Sequence, residues 1–172
     1  KIINMSAILN TYNRKEISFK KGKGSFLYAT NGKKYLDFVQ GIAVNCLGHS
    51  NDYLNRAIQK QSKKVWHVSN AFIIPEQEKL AKRLKQKTFA DYVSFQNSGV
   101  EATEAAIKFA RRYFYSKGQP RKNRIICINN SFHGRTLATI FASNNKKLTE
   151  GFYPKVDGFD HFNFGDYKGL EK

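Results

Sequence analysis

The segment at residues 95–113, FQNSGVEATEAAIKFARRY, constrains the fold more than any other part of the chain, because an apolar run changes there directly into a helical pattern. The change falls at Asn97-Ser98-Gly99. A helix start leaves backbone N–H groups without intrahelical acceptors and carries partial positive charge, so a phosphate group is favoured at Ser98, Gly99 and Val100. The alternative interpretation is an ordinary helix cap that holds no ligand.

Two predicted strands, at residues 92–96 and 124–129, flank a helix predicted at residues 100–116. A strand, a helix and a second strand in this order predict a β-α-β unit, which implies a parallel sheet. Glu104 and Lys108 are four residues apart on the helix and are expected to form a solvated pair and nothing more. Small and aromatic side chains at helical spacing are expected to face the sheet: Ala102, Ala105, Ala106, Phe109 and Tyr113.

The first half of the chain contains a hairpin signal, SFLYATNGKKYLDF, with Asn31-Gly32 at its turn. Asn-Gly supplies the two positive φ angles that a tight hairpin requires, so such a turn is predicted here. Two helices follow. The apolar spacing predicts the first over residues 52–65, and Pro75 is predicted to begin the second.

The segment FHGRT at residues 132–136 follows the predicted strand at residues 124–129 directly. It therefore lies at the carboxyl end of that strand, which is the edge where open α/β sheets bind ligands. We expect it to share this edge with Gly99. Without further information, Phe132 would be interpreted as a core side chain and Arg135 as a surface one.

The composition allows a folded core, since 41% of the 172 residues are hydrophobic and they include 14 Phe and 9 Tyr. The formal net charge of +17 raises the possibility of a nucleic acid or an anionic membrane as partner. However, the basic residues are scattered and form no long block or nucleic-acid motif. We therefore expect no nucleic-acid and no membrane partner, and no apolar run approaches the ~18 residues of a membrane span.

The two cysteines, Cys46 and Cys127, are far apart and are each flanked by apolar residues. Buried free thiols are expected, which suits a reducing cytoplasm. His49, His67 and His161 have no Cys, Asp or Glu at metal-ligand spacing, so no metal site is predicted.

Four blocks of the sequence, taken in order, resemble the class III pyridoxal-phosphate-dependent aminotransferases, most closely the acetylornithine group. The blocks are KGKGSFLYATNGKKYLDFVQGIAVNCLGH at residues 21–49, VWHVSNAFIIPEQEKLAKRL at residues 65–84, the segment at residues 95–113, and NSFHGRT at residues 130–136. The resemblance implies an α/β chain of the fold-type I transferases that use pyridoxal phosphate, and a homodimer when full length.

The resemblance also implies a truncated chain, because the later blocks of the family are not found. Residues 1–50 would be an N-terminal segment with the hairpin, part of the small domain. Residues 51–172 would be an incomplete large domain, with a mostly parallel sheet, that binds the cofactor. Met5 is the only methionine, and family members begin near it, so residues 1–4 are expected to be additional to the native chain.

The resemblance assigns roles to two residues of the FHGRT segment. Phe132 would stack on the pyridine ring of pyridoxal 5'-phosphate, and Arg135 would hold the carboxylate of the amino-acid substrate. An aromatic face suits a flat ring, and a guanidinium pairs with a carboxylate through two hydrogen bonds. His133 receives no role, because a lysine that binds the cofactor moves the proton in this family. No lysine here has a matching context, so no catalytic residue is expected and the chain alone is expected to be inactive.

For the acetylornithine group, the implied reaction moves an amino group from N2-acetyl-L-ornithine to 2-oxoglutarate, a step of arginine biosynthesis. Succinyl-diaminopimelate and succinylornithine remain possible donors. Ornithine δ-aminotransferase is the alternative within the family, but it generally carries tyrosines where this chain has Gly41 and Ile73. A non-enzymatic basic module that binds a phosphorylated ligand or nucleic acid is the alternative outside it.

Overall fold

The computed structural model describes residues 7–171, and residues 1–4, which were expected to be additional, lie outside this range. The chain is mixed α/β and divides at Pro75 into two compact units. The domain boundary predicted after residue 50 stays a prediction.

The first unit contains a three-stranded antiparallel sheet in the order β1-β2-β3, formed by Phe19–Lys23, Phe26–Ala29 and Lys34–Leu36. The predicted hairpin joins β2 to β3. Its turn differs from the prediction, because Gly32 has a φ of 84° whereas Asn31 keeps a negative φ. The Ala29 N–H donates to the Lys33 carbonyl, so the loop consists of residues 30–32 and ends in a left-handed glycine, which is the next most common hairpin connection.

A left-handed turn follows the sheet. The short element α1 (Gln40–Ala43) has φ between 50° and 65° at all four residues. A residue with a side chain adopts this conformation at a cost of about 1–2 kcal/mol. Gly41 avoids this cost, whereas Gln40, Ile42 and Ala43 carry backbone strain.

The strained turn is anchored by Asp37, which accepts hydrogen bonds from the backbone N–H groups of Val39 and Gln40 and contacts His49 Nε2 at 2.7 Å. These hydrogen bonds lower the pKa of Asp37, and the bond from the Gln40 N–H has the largest effect. The sequence spacing around His49 gave no sign of this carboxylate. Asp37 is distant in sequence but adjacent in space.

The two helices predicted next are confirmed as α2 (Asp52–Ser62) and α3 (Pro75–Lys87). Asn51 caps α2, since its side chain accepts from the N–H groups of Tyr53 and Leu54. The helix ends three residues before the predicted end.

The long helix α4 (Gly99–Ser116) is also confirmed. It ends in a Schellman motif at Gly118, whose φ is 71°. There the Gln119 N–H donates to the Phe114 carbonyl, and the Gly118 N–H donates to the Tyr115 carbonyl.

A second sheet holds two parallel strands, β4 (Ile125–Ile128) and β5 (Phe159–Phe162). They are connected through α5 (Leu137–Ser143) and α6 (Lys146–Thr149), and α7 (Tyr167–Leu170) follows. The core of the second unit lies between these elements and α4, and consists of Ile107, Cys127, Ile140, Phe141, Ala142 and Phe159.

The predicted parallel pairing is present, but with a different partner. Residues 92–96 form no strand, so α4 does not connect two paired strands. A strand needs a neighbour to receive its backbone hydrogen bonds, and within the described residues β4 pairs with β5 instead.

The face of α4 expected to meet the sheet is wrong as well. Phe109 and Tyr113 are 60% and 56% exposed, whereas Ile107 is 8% exposed and packs in the core. Arg111 lies one turn further along this buried face and donates to the Asn123 and Asp157 carbonyls. The prediction therefore fails for Phe109 and Tyr113, whereas Ala106 does lie beside β4.

The two thiols are unpaired but differ in environment, because Cys127 is buried whereas Cys46 is exposed, contrary to expectation. Burial raises the pKa of the Cys127 thiol, and Asp160 raises it further. Over residues 7–171, no helix is both long and apolar enough to cross a bilayer.

Candidate cofactor pocket

A pocket of about 450 Å³ in the second unit brings together the start of α4 and the loop between β4 and α5. The sequence predicted that these two segments lie close together, and they do. Their shared pocket is lined by Gly99, Val100, Thr103, Phe132, His133, Gly134 and Arg135.

The start of α4 is built by a reciprocal cap. The Ser98 hydroxyl accepts from the Glu101 N–H at 3.3 Å and donates to the Glu101 carboxylate at 2.8 Å. Asn97 donates to the same carboxylate, and these hydrogen bonds, with that of Ser98 the largest, lower the pKa of Glu101. The Ser98 hydroxyl is therefore engaged by Glu101. The first backbone N–H groups of the helix remain available to a ligand.

Open space surrounds the first turn at Gly99, since a Cβ placed there would meet no atom within 4 Å. The N–H groups of Gly99 and Val100 belong to the set that an α-helix leaves without acceptors. No backbone acceptor for them is found in the described part of the chain. An anion can therefore approach them directly.

The loop reaches the pocket through a close contact at Gly134. This residue has a φ of 119°, and a Cβ on it would lie 2.6 Å from Val100 Cβ. On either side of Gly134, Phe132 and Arg135 are exposed, with the guanidinium carbon 5.7 Å from the centre of the phenyl ring. The pocket thus combines helix N–H groups, an aromatic face and a guanidinium.

His133 is held by its neighbour Ser131. The Ser131 hydroxyl donates to the Ile128 carbonyl at 2.7 Å and lies 2.7 Å from His133 Nε2. Because a hydroxyl has one proton and a carbonyl can only accept, His133 Nε2 donates to Ser131. This bond supports the interpretation of His133 as a structural neighbour.

The loop ends at Thr136, whose hydroxyl donates to the Glu104 carboxylate on α4. Glu104 was predicted to form a solvated pair with Lys108 and nothing more. Within residues 7–171 the ion pairs do not include one between Glu104 and Lys108, and Glu104 instead accepts from Thr136. Sequence reasoning also missed Thr103, although it lies one helical turn after Gly99. Within the same range, no cluster of His, Cys, Asp or Glu could hold a metal ion.

The model of the family "Aminotransferase class-III" matches residues 9–171. The chain belongs to the class III aminotransferases.

Among its relatives, an acetylornithine aminotransferase of Agrobacterium fabrum is 55% identical over 164 residues, which cover 95% of this chain and 41% of that protein. An ornithine aminotransferase structure from Toxoplasma gondii has a TM-score of 0.85 at 27% identity, covering 92% of this chain and 38% of the other. An omega-transaminase from Thermomicrobium roseum has a TM-score of 0.80 at 32% identity, covering 86% and 34%. The chain thus spans about two fifths of the length of the relatives it matches.

Proposed function

We propose that this chain supplies the cofactor-binding part of a transaminase that moves an amino group from N2-acetyl-L-ornithine to 2-oxoglutarate, with pyridoxal 5'-phosphate as cofactor. One observation carries the proposal: the start of α4, Phe132 and Arg135 line a single pocket. The relative from A. fabrum, which is named an acetylornithine aminotransferase, supports the choice of donor.

The residues present fit this cofactor. The backbone at Ser98, Gly99 and Val100 would bind the phosphate, because the helix dipole favours a dianion there and no backbone acceptor for the Gly99 and Val100 N–H groups is found in the described part of the chain. The exposed Phe132 ring would cover one face of the pyridine ring. When bound, pyridoxal phosphate draws electrons from the carbon that carries the amino group, so that this carbon can lose a proton.

Arg135 would orient the substrate by pairing with its carboxylate through two parallel hydrogen bonds. None of the seven residues that line the pocket is a lysine. We therefore assign no proton transfer to this chain and propose that it does not transaminate alone.

We propose N2-acetyl-L-ornithine as the donor instead of ornithine because position 41 is a glycine. Its φ of 65° suits glycine, whereas a tyrosine there, as in ornithine δ-aminotransferases, would be strained. The loss of a hydroxyl that could bind a free amine favours an acylated donor. Succinyl-diaminopimelate is a second acylated donor of this kind.

We also propose a homodimer in a cytoplasmic setting for the full-length enzyme. Large exposed apolar side chains such as Phe38, Ile42 and Trp66 support burial against another surface. The unpaired thiols support a reducing compartment.

The test is a binding titration with pyridoxamine 5'-phosphate, whose amino group, unlike an aldehyde, cannot react with the many surface lysines. Phe132→Ala should weaken binding roughly two- to tenfold, as expected for the loss of one aromatic contact. Phe109→Ala is the matched control, because Phe109 is exposed on α4 and does not line the pocket.

The non-enzymatic alternative gives a different result. A basic module would bind a random oligonucleotide, with an affinity that falls steeply as salt rises, and would be indifferent to Phe132→Ala. That outcome, together with no binding of pyridoxamine phosphate, would overturn the proposal.

A further inference from the structure

The pocket loop, residues 131–136, is attached to the rest of the unit at three points. Ser131 fixes its start to the end of β4 through the Ile128 carbonyl. Gly134 packs on Val100 in the middle. At its end, Thr136 donates to the Glu104 carboxylate.

The two side chains that extend into the pocket lie between these points. Phe132 stands between the first and second attachments, and Arg135 between the second and third. Phe132 is exposed, so surrounding core packing does little to set its position. The course of the loop backbone therefore sets where both side chains begin, and the Arg135 guanidinium also lies against the Phe132 ring.

Glu104 provides the second attachment of the loop to α4, after the contact of Gly134 with Val100. It lies five residues after Gly99, the first residue of the helix. A hydroxyl that donates to a carboxylate forms a stronger and shorter hydrogen bond than a neutral pair does. Thr136 is also the N-cap residue of α5, so the bond ties both helices to the loop.

We infer that Glu104 is a positioning residue: through Thr136 it holds Phe132 and Arg135 over the first turn of α4, so that the ring and the phosphate of one ligand are bound at the same time. This inference rests on the proposed function for its ligand. Glu104 itself does not line the pocket and touches no reacting group.

The test compares Glu104→Leu with Glu104→Gln. Glutamine retains an oxygen that can accept from Thr136 but lacks the charge, whereas leucine offers no acceptor. Lys108→Leu is the matched control, because it places a leucine on an exposed site one turn further along α4.

The first readout is hydrogen exchange of the backbone amides at residues 131–136 in the chain without ligand. Glu104→Leu should speed this exchange about tenfold, while Glu104→Gln and Lys108→Leu should stay near the wild-type rate. The amides of β4 and β5 serve as the internal reference for an intact fold. Unchanged exchange of the loop in Glu104→Leu would overturn the inference.

The second readout is the affinity for pyridoxamine phosphate. Both variants remove a negative charge near the anion site, so they differ only in the acceptor for Thr136. Glu104→Leu should therefore bind about tenfold more weakly than Glu104→Gln. If the wild-type chain does not bind, the proposed function fails while the exchange readout still decides the role of Glu104. If Glu104→Gln and Glu104→Leu weaken binding equally, the charge of Glu104 matters for affinity and its hydrogen bond to Thr136 does not.

Discussion

Gly134 tolerates less change than the other residues around the pocket, for two independent reasons. Its φ of 119° lies in a region that side chains rarely adopt, and a Cβ would lie 2.6 Å from Val100 Cβ and 3.2 Å from Thr139 Oγ1. Other glycines, such as Gly151, share only the first reason, because a Cβ there would meet no atom within 4 Å. A comparison of substitutions at Gly134 and Gly151 therefore distinguishes the cost of backbone strain from the cost of steric contact.

Gly134→Ala should destabilise the chain by about 3 kcal/mol, from strain and overpacking together. Gly151→Ala should cost about 1 kcal/mol, from strain alone. The free energy of unfolding in urea measures both. Equal costs in the two variants would mean that the loop moves away from Val100 without penalty.

At the scale of elements, α4 is defined by its two ends. The reciprocal cap of Ser98 and Glu101 begins it, and the Schellman motif at Gly118 ends it. Because hydrogen bonds lower the pKa of Glu101, the ionised carboxylate is the form that stabilises the folded helix start. This stabilisation is complete above the ordinary pKa of a glutamate.

Acid should therefore loosen the start of α4. A lowered folded-state pKa means that the contribution of Glu101 is lost as the pH falls from about 4.3, the ordinary glutamate value, through the lowered value. Glu101→Gln should remove this part of the pH dependence, because it has no titrating group. The measurement is the difference in unfolding free energy between wild type and variant from pH 7 to pH 2.5, and a difference independent of pH would contradict it.

Sequence reasoning succeeded for α4 and for the nearness of Gly99 to the FHGRT segment, because caps, glycines and strand ends are local signals. The roles of Phe132 and Arg135 came from the resemblance and stay predictions. It failed for the strand at residues 92–96, because a parallel strand depends on a distant partner. It also missed the face of α4 that packs and the bond between Glu104 and Thr136. Both depend on where α4 meets other elements, and no periodicity within the helix contains that information.

At the scale of the whole molecule, an apolar depression of about 470 Å³ lies where α4 meets β4 in the second unit. Ala106, Ala110 and Ile126 line it and are exposed, the last by 60%. Exposed apolar surface of this kind promotes association between copies.

The chain should consequently bind an apolar fluorescent dye and associate as its concentration rises. Ile126→Lys should reduce both, because it places a charge in the depression at a site that is already exposed. Dye fluorescence and sedimentation velocity measure the two effects, with Ile8→Lys in the first unit as control. If both variants reduce association equally, net charge and not this depression is responsible.

The contact between Val100 and Gly134 links two segments that lie more than thirty residues apart in the chain. Gly134 has no side chain to shorten, so bulk added at Val100 cannot be compensated at position 134. Across homologous enzymes, position 134 should accordingly stay glycine and position 100 should stay no larger than valine.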